Sequence, residues 1–274
     1  MQASYSARSH VGMVRENNED NLYIDGITLS PDTCSLPFEI DGAASPPAVF
    51  AVCDGMGGEE NGETASLMAV QALLRFDGRL KSAAPAELDK TVPEYVAGAE
   101  AAVRTAGRGA RSGTTLALVV ASAHGAYCYN IGDSRIYCLR KSEFRQVTND
   151  HTLAAMQLRA GVPPDRAVSR SFGNKLTRCI GIGDSAAVES YAPVAGECRM
   201  LICSDGLSDM VADAELERIL RVSERTADAA DALLQAALRG GGRDNVTLIV
   251  LDIKSAKRPG LWRFTKKRKG YNKV

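Results

Sequence analysis

No apolar run in this sequence approaches the ~20 residues needed to cross a bilayer, so a transmembrane helix is not expected. The opening stretch MQASYSARSHVGMV has no long apolar segment, which argues against a secretory signal. There are only three histidines, none at ligand spacing, and a His-rich zinc or iron centre is therefore not expected. The seven cysteines (34, 53, 128, 138, 179, 198 and 203) contain no CxxC pair and are odd in number. Most sit within strand-like runs, where a free thiol behaves as a small apolar group. A disulfide scaffold is thus not expected; a reducing compartment, the cytoplasm, is. Net charge is also lacking, but the zero conceals an asymmetry. Residues 254–274 hold nine Lys and Arg and no acid, which leaves 24 basic against 33 acidic groups in residues 1–253. An acidic body with a basic tail suits a cation-binding domain with an appendage, and no nucleic-acid partner is expected.

What is present is a set of carboxylates at the ends of apolar runs. Asp54 closes AVFAVCDGMGG, Asp133 closes AYCYNIGDSR, Asp205 closes RMLICSDGL and Asp244 opens DNVTLIVLDI. Glu19 and Asp20 lie in RENNED near the N-terminus. Strands converging in a sheet would gather these groups, and like charges repel and resist desolvation unless cations neutralise them. The pattern points to a hard-metal site of the Mg²⁺ or Mn²⁺ type, with glycines at 55, 57 and 58 allowing backbone to approach a ligand closely.

Short runs rich in Val, Ile, Leu, Tyr or Ala predict strands at 48–53, 115–121, 126–131, 136–140, 199–203 and 246–253. Gly132-Asp133-Ser134 reads as the turn of a hairpin-like passage between 126 and 140. Helical spacing runs through Ala65, Met68, Ala69, Ala72, Leu73 and Phe76, and again through Val96, Ala99, Val103 and Ala106. Further on, Asp213 is expected to cap a helix burying Leu216, Ile219 and Leu220. Thr226 is expected to cap one carrying Ala230, Leu233, Leu234, Ala237 and Leu238, ended by Gly240 to Gly242. A short helix at 152–160 precedes a Pro- and Gly-punctuated loop at 161–174, so 150–175 reads as a flap-like segment. Helices interleaved with strands without strict alternation predict a layered α/β (α+β) sandwich. In it, two packed, mainly antiparallel sheets are flanked by helices. One catalytic domain is expected over 1–253, followed by a flexible basic tail over 254–274.

RENNED (15–20), AVCDGMGG (51–58), SGTTL (112–116), NIGDSR (130–135), LTRCIG (176–181), ICSDGL (202–207) and DNVTLIV (244–250) follow one another in a familiar order. In this the chain resembles the metal-dependent protein serine/threonine phosphatases, the PPM or phosphatase 2C-type family, in its bacterial branch. The resemblance implies hydrolysis of phosphoserine and phosphothreonine in proteins by a water activated between two Mg²⁺ or Mn²⁺ ions, in opposition to a protein kinase. It implies that Asp54 bridges the two ions, that Glu19 and the Gly55 carbonyl contact one, and that Asp205 and Asp244 hold the other. Asp20 would orient waters from behind the ligands. Asp133, with Asp205, matches a third, weaker metal position, and Arg15 matches the residue that grips the substrate phosphate.

Two positions depart from the pattern. Many eukaryotic relatives carry His directly after the DG pair, where this chain has Met56, which has no proton to give. Bacterial relatives often carry His after DGMGG, where this chain has Glu59. Protonation of the leaving group is then expected from water on the third metal. His151, beside a helix cap, reads as a structural hydrogen-bonding residue, Ser112 to Thr115 as strand-end packing, Cys53 and Cys203 as buried neighbours of the site, and GIGD (181–184) as no dinucleotide fingerprint. The alternatives are a non-catalytic phosphoprotein binder or scaffold on the same fold, and a phosphatase dedicated to one regulatory protein of the anti-sigma-antagonist type. Retention of every ligand disfavours the first, and the short chain without a sensor domain disfavours the second. Trp262 and Phe264 among the basic groups of the tail allow contact with an acidic partner or a membrane surface.

Overall fold

AVFAVC is apolar at every position because both faces of the strand it forms are covered. Phe50 and Val52 turn towards the layer between two sheets, and Val49, Ala51 and Cys53 towards helices. A computed structural model describes residues 2–30, 36–57, 61–107, 111–141, 143–163, 173–183 and 187–254. Cys34, Gly58 and Glu59, Asp184, residues 164–172 of the expected flap and the tail beyond Lys254 lie outside the described residues.

In chain order the strands are β1 (Gln2–His10), β2 (Asp20–Ile24), β3 (Ile27–Thr28), β4 (Phe38–Ala44), β5 (Ala48–Met56), β6 (Gly113–Thr114) and β7 (Leu116–Ser122). They continue as β8 (Gly125–Ile131), β9 (Arg135–Arg140), β10 (Glu143–Gln146), β11 (Glu189–Ser190), β12 (Cys198–Cys203) and β13 (Val246–Lys254). The helices are α1 (Gly62–Ser82), α2 (Pro85–Ala106), α3 (Leu153–Arg159), α4 (Asp205–Ser208), α5 (Asp213–Val222) and α6 (Thr226–Arg239). One sheet runs β10-β9-β12-β13-β1-β4, the other β11-β8-β7-β5-β2-β3 with β6 against β5. All of these pairings are antiparallel.

Three apolar clusters make four layers. The middle one lies between the sheets and includes Phe50, Val52, Ile136, Met200, Ile249 and Leu251. A second packs α1 and α2 on the sheet containing β5, through Leu73, Val92, Tyr95 and Val103. The third packs α5 and α6 on the sheet containing β13, through Leu216, Leu220, Ala230 and Leu233 from the helices and Leu248 and Val250 from the strand.

Two sequence expectations are corrected. Gly132-Asp133-Ser134 is not a hairpin turn: β8 and β9 belong to different sheets, so this segment crosses from one to the other, and the true hairpin joins β7 to β8. Asp213 and Thr226 are the first helical residues, behind Ala212 and Arg225 as caps. Their side chains serve the tertiary structure instead, Asp213 accepting from the Tyr137 hydroxyl (3.1 Å) and Thr226 from the Ser6 hydroxyl (2.8 Å). The helical spacing read through Val96, Ala99, Val103 and Ala106 belongs to α2, which reaches back to Pro85 in its tolerant first turn and accommodates Pro93. β1 was not legible as a strand, since Ser6 and Arg8 face α6 and find polar partners there.

Candidate active site

Antiparallel pairing brings the ends of β5, β8 and β12 to the same edge of the sandwich as the starts of β2 and β13. In the register of β2 against β5, Asp20 stands opposite Asp54, and the Gly55 N–H donates to the Glu19 carbonyl at 3.1 Å. A side chain at Gly55 would place its Cβ 2.1 Å from the Gly62 carbonyl oxygen, so only glycine lets these segments close. Asp205 opens α4 at the end of β12, Asp133 stands in the crossing after β8, and Asp244 precedes β13.

A pocket of about 350 Å³ results. It is lined by Arg15, Glu19, Asp54, Gly55, Met56, Asp133, Asp205 and Asp244, together with Gly57, Thr115, Asn174 and Leu176. Asp20 lies behind this lining, 1% exposed, with Oδ2 accepting from the Ser204 hydroxyl at 2.7 Å and Oδ1 buried without a partner. None of the three histidines lines the pocket. A smaller depression of about 250 Å³ continues beneath α3, shares Asp133, Asn174 and Asp205, and adds Asp209.

The carboxylates are held against their ordinary chemistry. Burial, then the charges of Asp20 and Asp205, pushes Asp54 well above the usual carboxylate range. Burial raises Asp20 to about 7 against the opposing hydrogen bond from Ser204. Asp133 is pushed up to about 8 by burial and Asp205, and Asp205 up to about 6 by burial and Asp244. Glu19 is raised by burial and Glu63. A site that disfavours its own charges in this way is complementary to an added cation. The orphaned Asp20 oxygen and the all-oxygen donor set fit hard divalent ions of the Mg²⁺ and Mn²⁺ class. Among the described residues, no three His, Cys, Asp or Glu side chains are arranged to grip one ion as they stand. Asp244 is turned to Arg15, whose guanidinium donates to Oδ2 at 2.7 Å.

Of the residues that aim these carboxylates, Thr115 reads in the sequence only as strand-end packing and Asn245 is not singled out. Thr115 Oγ1 accepts the Asp54 N–H at 2.9 Å and meets the Ser134 hydroxyl at 2.6 Å, joining the end of β5 to the crossing that carries Asp133. Asn245 Oδ1 accepts the Glu19 N–H at 2.8 Å, while its Nδ2 donates to the Val11 and Asn17 carbonyls at 2.9 and 2.8 Å. That one amide ties the RENNED loop to the start of β13. The only signal for either residue was its place beside a motif aspartate or in the paired threonines of SGTTL. His151 is buried and hydrogen-bonded to Gly132 and Glu189, and burial holds its ring below the ordinary value.

Comparison with known proteins supplies the remaining observation. The profile of a family described as Protein phosphatase 2C matches residues 38–240. The chain is 32% identical over 262 residues to the serine/threonine protein phosphatase PstP of Mycobacterium tuberculosis, covering 91% of this chain but 45% of that protein. It is 32% identical over 256 residues to the serine/threonine phosphatase stp of Listeria innocua, covering 89% of this chain and 94% of that one. A crystal structure of the PstP catalytic domain in complex with two manganese ions superposes with a TM-score of 0.73 at 30% identity, over 93% of this chain and 100% of that chain.

Proposed function

The chain belongs to the protein phosphatase 2C family, and from that premise we propose that it hydrolyses phosphoserine and phosphothreonine in proteins. The observation that carries this reading is the convergence of Glu19, Asp54, Asp133, Asp205 and Asp244, from five separate segments, on one pocket that also holds Arg15. Glu19, Asp54 and the Gly55 carbonyl would hold one divalent cation and Asp54, Asp205 and Asp244 a second. Asp133 with Asp205 would hold a third, weaker one. Such ions acidify water and neutralise charge on a phosphoryl group.

The chain's own groups do the rest. The Arg15 guanidinium, half-exposed and tethered to Asp244, presents a planar fork that meets two phosphate oxygens and orients the phosphoryl group for in-line displacement. Asp20, fixed by Ser204 through one oxygen, offers its free Oδ1 as an acceptor that orients water behind the ligands. Met56 lines the pocket and has no proton to give, so protonation of the departing alkoxide is assigned to the Asp133 corner. Phosphoproteins, and with them a protein kinase whose work is undone, are the partners this chemistry requires. The basic tail is assigned to docking on an acidic partner or membrane surface.

The test is phosphate release from a phosphothreonine peptide with added Mn²⁺. We expect release to be abolished by EDTA and by Asp54→Asn. Tight phosphopeptide binding without turnover would replace this reading with that of a non-catalytic binder.

A further inference from the structure

Asp133 is the one candidate ligand carried on a crossing between the two sheets, and neither sheet's ladder fixes it. Two sets of contacts do. Ser134, after it, is gripped by Thr115 as described above. Gly132, before it, is gripped by His151 on both of its backbone groups: the Gly132 N–H donates to Nδ1 at 3.1 Å, and the His151 N–H donates to the Gly132 carbonyl at 2.9 Å. Asn130 Nδ2 adds a second bond to that carbonyl at 3.1 Å. Gly132 has φ +97°, and a Cβ there would sit 2.6 Å from the Thr115 side chain, so the crossing has one conformation to be held in.

Because Nδ1 is an acceptor, the ring proton lies on Nε2, which donates to Glu189 Oε2 at 2.8 Å. Glu189 is itself fixed by Asn149 Nδ2 at 3.0 Å, with Arg159 and Arg178 each at 3.8 Å. The arrangement is that of a carboxylate aiming an imidazole, but the imidazole aims a backbone turn and not a metal.

We propose that His151, oriented by Glu189, is a positioning residue that sets the Gly132-Asp133-Ser134 crossing and thereby the affinity of the cation held at Asp133. The inference rests on the assignment of Asp133 to a weaker metal position. It predicts that the two functions of the ring are separable. Asparagine at 151 keeps an acceptor near Nδ1 and loses the reach to Glu189. Glutamine keeps a donor near Nε2 and loses the acceptor for Gly132.

Binding of Mn²⁺ to the full chain is followed by the electron-spin resonance signal of free Mn²⁺, alongside thermal unfolding. For His151→Gln we expect the weakest binding step to lose about 10-fold in affinity, as supporting residues around metal ligands do, with the tighter steps within about twofold. His151→Asn is expected to recover that step to within about threefold of the parent. Glu189→Ala, at a part-exposed site, is expected to weaken the same step by about threefold. An unchanged weak step in both His151→Gln and Glu189→Ala, even with a lowered Tm, would reduce His151 to a purely structural residue and overturn the proposal. Asp133→Asn in the same titration separates the two levels. If it removes the weak step while the His151 variants do not move it, the positioning role fails. If it changes no step, the metal assignment of Asp133 fails and takes the positioning role with it.

Discussion

Two buried groupings of charge in this molecule are built on opposite rules. At the interface of β1 and β12 with α5 and α6, each buried charge meets its opposite. Arg8 donates to Asp231 at 2.6 Å and to Asp41 at 2.9 Å, and Arg199 forms a paired contact with Asp252 at 2.6 and 2.9 Å while also donating to the carbonyls of Leu220, Ser223 and Glu224. At the other end of β12 and β13 the pocket collects carboxylates with Arg15 as the cation on its lining, and Asp20 keeps an oxygen with no partner. The first grouping is complete as it stands, each buried charge having its partner. The second is incomplete without something positive, and that incompleteness is what makes it a site.

The sharpest way to break this comparison is Asp54→Asn. On the catalytic side we expect a loss on the order of 10³-fold in Mn²⁺-dependent phosphate release. On the structural side, removing a charge that burial and the neighbouring carboxylates disfavour should leave the metal-free protein no less stable, and about 1 kcal/mol more stable in chemical denaturation. If metal-free stability instead fell by several kcal/mol, the carboxylates would be paired groups like those of Arg199.

Asp252→Ala is the converse and should cost about 3 kcal/mol, because it strands a buried guanidinium. Mn²⁺ titrations of that variant should match the parent.

A third test uses pH. Asp20, Asp133 and Asp205, raised to about 7, 8 and 6, and Asp54, also raised well above the ordinary range, hold protons in the folded chain that the unfolded chain has released above about pH 4. Their contribution to metal-free stability is therefore full below about pH 4 and is lost as pH rises through about 6 to 8. Divalent cations reverse that loss by replacing the protons. The increase in Tm on adding Mn²⁺ in place of EDTA should be larger at pH 8 than at pH 5.5, and an increase that shrinks with pH would contradict the assignment.

The smallest effect is expected at Thr115→Val, which keeps shape and removes the hydroxyl shared by the Asp54 N–H and Ser134. Stability should fall by about 1 to 2 kcal/mol and turnover by about 10-fold, read as kcat rather than KM.

Much of this was legible along the chain, and the exceptions have a common cause. Strands with apolar residues on both faces, such as β5, β7 and β13, declare themselves because each face is covered. β1 does not, since Ser6 and Arg8 are matched by Thr226 and Asp231, some 220 residues away. Asp213 and Thr226 looked like helix caps because capping chemistry is local, yet Tyr137 and Ser6 claim their side chains. The crossing at Asp133 looked like a hairpin because a turn-prone triplet is the same in either setting, and sheet membership is decided by partners outside it.

What the sequence determined by itself is the set of reactive groups: hard oxygen donors at strand ends, a guanidinium four residues before the first of them, and methionine where a proton donor is often found. Those are properties of residue type and spacing, and they carry the family and the class of chemistry. Only the tertiary structure decided how the groups are aimed. The Thr115, Asn245 and His151 contacts each join segments distant in sequence, and the repulsion that raises the carboxylates exists only once antiparallel pairing brings five chain segments to one edge. Reactivity is written residue by residue, whereas desolvation and mutual charge depend on distances that no single segment contains.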